Sequence, residues 1–440
     1  MTKTSSAPRA RFFVSCMAAV SLAALLAACG RGAARAPHAL ARPAPAATSA
    51  ASAAGALSAE ARLGREIFFD QHLSASGRMA CATCHDPAHA YAPADARATA
   101  LGGPALDRPG LRAVPSLRYV LARTPHWFKQ FQANPLERLT ETDSVPTGGF
   151  TRDGRFDTLH DQARAPLLAG EEMANASEAA VAGKLRQAAY ADEFRRVFGA
   201  PALADDAQAF AKATLALERF QLEDPSFRPY SSRFDRYLRG EQALSAQEMR
   251  GFQAFADPAR GNCAACHLVA PGADGSPPLF TDFSFSTLGA PRNPRLAANA
   301  DPQHFDLGLC GPQRTDQRAQ QAWCGMFKTP SLRNVASRGV FLHNGVFTRL
   351  EDVVRFYAER DIHPEKWYPR DTRGRIDRYN DLPRALRANI DVLDAPLDRK
   401  PGDKPALDDR DVADIVAFLG TLTDADVIPA GAATTTVAAR

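Results

Sequence analysis

Two five-residue strings carry the chemistry of this chain: Cys81-Ala82-Thr83-Cys84-His85 and Cys263-Ala264-Ala265-Cys266-His267. In a C-x-x-C-H string the two thiols lie one turn apart, within reach of the two vinyl groups of one porphyrin. The histidine that follows then presents a ring nitrogen to the iron. A lone C-x-x-C also serves as a redox dithiol or as half of a zinc site, but a zinc finger needs a second pair at finger spacing, and neither copy has one. Cys81, Cys84 and His85 are therefore read as holding one covalent haem c, and Cys263, Cys266 and His267 as holding another. Two such groups mean electron transfer or chemistry on peroxide or oxygen, and exclude hydrolysis.

The amino terminus reads as an export signal. Lys3, Arg9 and Arg11 precede an apolar run, Phe12 to Ala28, which is short for a membrane span of about 20 residues. The run ends in Leu26-Ala27-Ala28-Cys29-Gly30, which is similar to the lipobox of bacterial lipoproteins. That similarity implies a lipid anchor at Cys29 and, with Gly30 rather than Asp after it, the outer membrane. Residues 1–29 are the signal and residues 30–56, rich in Ala, Pro and Ser, a tether, leaving the body in the periplasm. Of the eight cysteines, Cys16 and Cys29 belong to the signal and four to the haem strings. Cys310 and Cys324 remain, and in an oxidising compartment they are expected to form a disulfide.

The 440 residues are 45% hydrophobic, enough for two cores, and the net charge of +4 is spread without the long basic runs of a nucleic-acid footprint. The body repeats itself. Leu57-Ser58-Ala59 opens a helix with Gly64 and Phe68 before the first haem string; Leu244-Ser245-Ala246 opens another with Gly251 and Phe255 before the second. Pro115-Ser116-Leu117-Arg118 recurs as Pro330-Ser331-Leu332-Arg333, and Asp153-Gly154-Arg155 with Leu159 as Asn344-Gly345-Val346 with Leu350. The expected fold is mainly α, with two cytochrome-c-like haem domains in tandem, pseudo-duplicated, over residues 57–225 and 226–425. A long helical stretch from Glu178 to Phe220 leads from one to the other, a helix from Asp408 to Leu422 closes the body, and residues 426–440 form a disordered tail.

These strings, with Gln162, Pro166, Glu172-Met173 and Phe327-Lys328-Thr329-Pro330-Ser331-Leu332-Arg333-Asn334, resemble the bacterial di-haem cytochrome c peroxidases and their MauG relatives over roughly residues 57–425. The resemblance implies an N-terminal haem that reacts with hydrogen peroxide and a C-terminal haem that passes electrons to it from a small donor cytochrome c or cupredoxin. It implies Glu172 as the distal carboxylate that moves a proton between the peroxide oxygens, Gln162 as a hydrogen-bond partner, and Pro166 as a residue that leaves the sixth iron site open. Over the second haem the peroxidases have Met and MauG has Tyr; here the matching residue is Tyr357, with Met326 and His343 as rivals.

The pattern also departs from the family. Arg152 stands where many relatives have a relay Trp, and Gly261 where MauG has the Trp that reaches its protein substrate. His89 is the one histidine between the first haem string and the Pro-Ser-Leu segment, and it lies close behind His85. Ala113 matches the Asn that holds the family's inter-haem Ca²⁺, leaving carbonyls and water as ligands. The expected activity is peroxide reduction. Its alternatives are MauG-like oxidation of a protein or small-molecule partner, and a non-catalytic di-haem electron carrier or redox sensor.

Overall fold

Serines start the two helices that precede the haem strings in the computed structural model, which describes residues 56–119, 121–130 and 145–430. The signal with Cys29, and all but the end of the tether, lie outside the described residues. Helix α1 is Ala59–Phe69, and its N-cap Ser58 accepts from the Ala61 N–H at 3.0 Å. There follow α2 (Leu159–Leu168), α3 (Glu178–Gln187), α4 (Ala191–Phe198), α5 (Asp206–Glu223), α6 (Arg233–Leu238), α7 (Ala246–Ala256), α8 (Leu350–Glu359) and α9 (Asp409–Gly420). Ser245 caps α7 in a reciprocal box with Glu248. Among the described residues the strands are antiparallel pairs of two or three residues, so the fold is helix-rich.

The single helical stretch expected from Glu178 to Phe220 is instead α3, α4 and α5. Gly199, at φ 93°, ends α4 in a conformation that costs other residues energy, and Pro201 follows it. Asp205 then restarts the helix by accepting from the Gln208 N–H at 2.7 Å.

Two helix crossings organise two hydrophobic cores. Helix α1 crosses α5 at Gly64, and α7 crosses α9 at Gly251. A Cβ on Gly64 would lie 1.9 Å from the Ala216 carbonyl oxygen, and one on Gly251 1.8 Å from that of Asp414, so in both crossings backbone lies directly on backbone. Phe68, Phe220, Phe227 and Tyr91 pack around the first crossing, with Tyr91 stacked on Phe227 at 3.9 Å. Phe255, Phe280, Phe418 and Phe234 pack around the second. The apolar clusters built on these rings run from Leu63 to Phe227 and from Phe234 to Leu422.

The segment after α9 returns to the first cluster. Buried Arg118 donates to Asp424 at 2.9 Å and to Asp426 at 2.6 Å, and the Tyr119 hydroxyl donates to Asp424. Ile428 donates its N–H to Ala88 and accepts from His89 Nδ1 at 2.7 Å. Residues 426–430, expected to open a disordered tail, are instead held in place by buried cations and main-chain groups. Residues 431–440 lie outside the described ones.

The crossing predicts a contrast. Gly251→Ala drives a methyl into main chain and is expected to cost about 3 kcal/mol of stability. Gly183→Ala, inside α3 with nothing within 4 Å of its Cβ, is expected to add about 0.5–1 kcal/mol. Urea unfolding of both variants beside the parent protein measures the difference.

Candidate active site

Each haem string folds as one tight turn. Cys81–Cys84 is a single helical turn and Cys263–Ala265 a 3₁₀ turn, and in both the histidine N–H donates to the first cysteine's carbonyl, at 2.9 and 2.8 Å. His85 Nδ1 lies 3.0 Å from the Tyr91 carbonyl oxygen and His267 Nδ1 lies 2.9 Å from that of Phe280. A carbonyl only accepts, so Nδ1 carries the proton and Nε2 carries a lone pair. Burial lowers the His85 pKa to about 4 and lowers that of His267 as well, so both rings are neutral, the form that binds a metal. Burial raises the thiols of Cys81, Cys263 and Cys266 to about 12 and Cys84 to about 11. A redox dithiol lowers its thiol pKa, so this environment does not suit thiol–disulfide exchange. Cys310 and Cys324, by contrast, are joined in a disulfide.

The four cysteines and two histidines of the strings border one cavity of about 550 Å³ that runs from one string to the other. Folded interiors are close-packed, so a void of this size belongs to a bound group. Arg152, Arg338 and Lys328 border it too. Neither Arg152 nor Arg338 meets a carboxylate in any ion pair among the described residues; each donates to one main-chain carbonyl. Burial lowers Arg152 to about 9, with Arg338 and Arg112 adding repulsion, Arg338 to about 10, and Lys328 to about 7. Unpaired cations around an apolar void fit a cofactor that is apolar in its body and carries carboxylates, as haem does.

Helix α2 brings Gln162 and Pro166 to the cavity from one face, and the turn after it brings Glu172. The Glu172 carboxyl has open surface and borders the void, yet the protein around it raises its pKa to about 7, through burial first and then Glu171, against the pull of Arg155. Any occupant of the cavity removes more water, so the upward direction holds in the loaded protein.

Helix α8 is the counterpart of α2. Each follows a glycine at nearly the same φ, 62° at Gly154 and 63° at Gly345, inside a loop closed by Phe150 on Phe156 or Phe341 on Phe347. Tyr357 lies seven residues after Leu350, as Pro166 does after Leu159, and it borders the cavity beside the second string, with its phenol pKa raised by burial. His343 also borders the cavity, stacked on Phe327 at 3.7 Å with Nε2 3.2 Å from Asp381. Met326 does not border it, nor does buried His89, whose Nδ1 is spent on Ile428.

Reading the sequence alone misses the ionic cluster between the strings. Arg112 pairs with Asp153 at 2.7 Å and with Asp306 at 2.6 Å, and its partners lie 41 and 194 residues away. The carbonyl of Ala113 accepts from Arg152 at 2.9 Å and that of Val114 from Arg338 at 2.5 Å. Oxygens that calcium would use are thus already taken, and the residues present do not fit that ion.

Residues 58–243 match the family model described as di-haem cytochrome c peroxidase. The methylamine utilization protein MauG of Paracoccus denitrificans is 34% identical over 394 residues, 86% of this chain and 92% of that protein. The cytochrome c551 peroxidase of Nitrosomonas europaea is 26% identical over 69% of this chain and 74% of its own. Among solved structures, the diheme peroxidase BthA of Burkholderia thailandensis superposes with a TM-score of 0.74 at 39% identity, covering 84% of this chain and 87% of that one.

A pyridine haemochrome assay is expected to give two haems per chain for the parent protein. For the variant carrying Cys263→Ser and Cys266→Ser together it is expected to give one haem, with the high-spin ferric EPR signal retained.

Proposed function

The chain belongs to the di-haem cytochrome c peroxidase family and is a haem peroxidase-type oxidoreductase, and we propose that it reduces hydrogen peroxide at the first haem string with electrons delivered through the second. The observation that carries this reading is Glu172, a carboxyl on the cavity of the first string with a pKa of about 7. Cys81, Cys84 and His85 would hold the reacting haem, and Cys263, Cys266 and His267 the other, with Tyr357 as a further residue that could bind its iron. The two halves are related as a tandem duplication, 57–225 and 226–425. When bound, the first haem supplies an open iron position that binds peroxide and takes up electrons.

Moving a proton from the near peroxide oxygen to the leaving one needs a group that takes and then returns it. Glu172 does so as a carboxylate, which its pKa makes available near neutral pH. The Gln162 amide orients the peroxide by hydrogen bonding. Pro166 offers no ligand atom on the face that Tyr357 occupies in the other half, and so keeps the site open. The physiological setting is the periplasm, with Cys29 as an outer-membrane lipid anchor and a small cytochrome c or cupredoxin as electron donor.

MauG-like oxidation of a partner is the second reading. Tyr357 favours it, because a phenolate donor stabilises ferric iron and suits storage of oxidising equivalents. Gly261 opposes it in its known form. A Cβ there would lie 2.7 Å from the Ala254 carbonyl oxygen, so a tryptophan at this position requires a shifted main chain.

Glu172→Gln is expected to leave both haems attached and to slow peroxide-dependent oxidation by about 10²-fold or more in stopped-flow mixing. Below its pKa Glu172 is protonated and cannot accept the proton, so the parent rate rises with pH through about 7, and that limb disappears in the variant. Tyr357→Phe is expected to raise the potential of the second haem and alter its low-spin EPR signals, with the first haem's signals unchanged. An identical redox titration and spectrum would assign Tyr357 to packing alone.

A further inference from the structure

Between the two haem strings the halves of the chain meet through fixed charges. The Ala113 N–H donates to the His343 carbonyl at 2.8 Å, and the Lys328 N–H to the Arg152 carbonyl at 2.9 Å. Side chains close the same seam. Arg338 donates to Val114 at 2.5 Å and Lys328 Nζ to Gly149 across it, and Arg152 Nε donates to Ala113 at 2.9 Å within the first half. Arg112 ties Asp153 of one half to Asp306 of the other.

The carboxylates here are fully engaged. Asp153, wholly buried, accepts from Thr151 at 2.6 Å, Arg112 at 2.7 Å and Arg155 at 2.9 Å. Asp306 accepts twice from Arg112 and once from the Gly308 N–H. Both carboxyls are held below the usual carboxylate range, by Arg112 above all, against the effect of burial. A calcium ion takes six to eight oxygens at about 2.3–2.6 Å. At this seam it would meet carbonyls already bonded, carboxylates already paired, and guanidinium groups that repel it. No cluster of three or more His, Cys, Asp or Glu suited to a metal exists among the described residues.

We propose that the guanidinium groups of Arg152, Arg338 and Arg112 are the built-in inter-haem cation of this protein, so that it needs no calcium to join its halves or to couple its two haems. The groups do what a bound cation would do. Arg338 bonds a carbonyl and Arg112 a carboxylate of the opposite half, Arg152 braces Ala113 beside them, and together they place positive charge between two groups that carry carboxylates. Unlike a bound ion, they are neither lost to chelators nor competed away by other cations. The proposal rests on the two-haem reading for its second role only; the joining role stands on the protein bonds alone.

The test uses the holoprotein. After dialysis against EGTA and then calcium-free buffer, atomic emission is expected to find no stoichiometric calcium. The ferric spectrum, the EPR signals and the thermal midpoint are expected to match those before chelation and those after CaCl₂ is added back. One calcium per chain surviving dialysis, or an EGTA-induced change reversed by CaCl₂, overturns the proposal. Arg152→Met is expected to lower the thermal midpoint and shift both haem potentials downward, since removing positive charge favours ferric iron, while Arg152→Lys keeps the potentials near the parent values. If Arg152→Met yields no folded protein, Arg338→Met is measured in the same way. Parent-like potentials and midpoint in whichever Met variant folds also overturn the proposal. A haemochrome count on every sample separates a failure of this proposal from a failure of the two-haem reading.

Discussion

In each half an imidazole gives its Nδ1 proton to a main-chain carbonyl, His85 to Tyr91 and His267 to Phe280, and the geometry of both sites follows from that bond. The accepting residues are rooted in the aromatic cores: Tyr91 stacks on Phe227, and Phe280 meets Phe234 edge-on at 5.5 Å. The bond fixes the ring plane and tautomer and leaves Nε2 for the cavity, while burial keeps the ring neutral. With two cysteines on the turn before it, the ring determines where a porphyrin lies, and α2 and α8 must stand off at that distance. The void is the consequence. Side chains do not fill it, so part of the packing that stabilises each half has to come from the cofactor.

The ionic seam is a second organising element, and its energetics differ. Buried ion pairs repay their desolvation poorly, and their removal by halves is costly, so they specify an arrangement more than they add stability. Asp153 shows this well. It lies between the loop that starts α2 and the Arg112 that reaches Asp306, with no exposed surface and a partner on each side. Excess positive charge around it stays uncompensated by protein at Arg152 and Arg338. That charge is matched only when carboxylate-bearing groups occupy the cavity, which ties the register of the two halves to cofactor loading.

Local chemistry was readable from the sequence because it is local. The haem strings, the Ser58 and Ser245 caps, and the equal offsets of Pro166 and Tyr357 from their helix starts need only a few consecutive residues. The break of the Glu178–Phe220 stretch was also written there, in Gly199 and Asp205, but helical periodicity on either side masked it. The seam was not readable. Arg152 was visible as a departure from a relay tryptophan, yet nothing nearby in sequence says that its guanidinium meets Ala113, or that Arg112 finds Asp306 across 194 residues. The order of residues 426–430 was hidden for the same reason, since this short segment gains its structure from distant cations and main-chain groups rather than from its own propensity.

That last segment also decides how far the halves are separable. The first apolar core is complete by Phe227, so a cut just after that residue leaves it whole. Yet Arg118 and Tyr119, both buried in that half, find their carboxylate at Asp424, and His89 finds its carbonyl at Ile428. During synthesis they emerge 305 to 339 residues after the groups they bind. An N-terminal fragment would carry a buried guanidinium without its counter-charge, and a gene split between the halves would need the C-terminal product to supply Asp424, Asp426 and Ile428 in trans. The two cores are therefore tied together by buried charge and main-chain bonds that neither could supply alone.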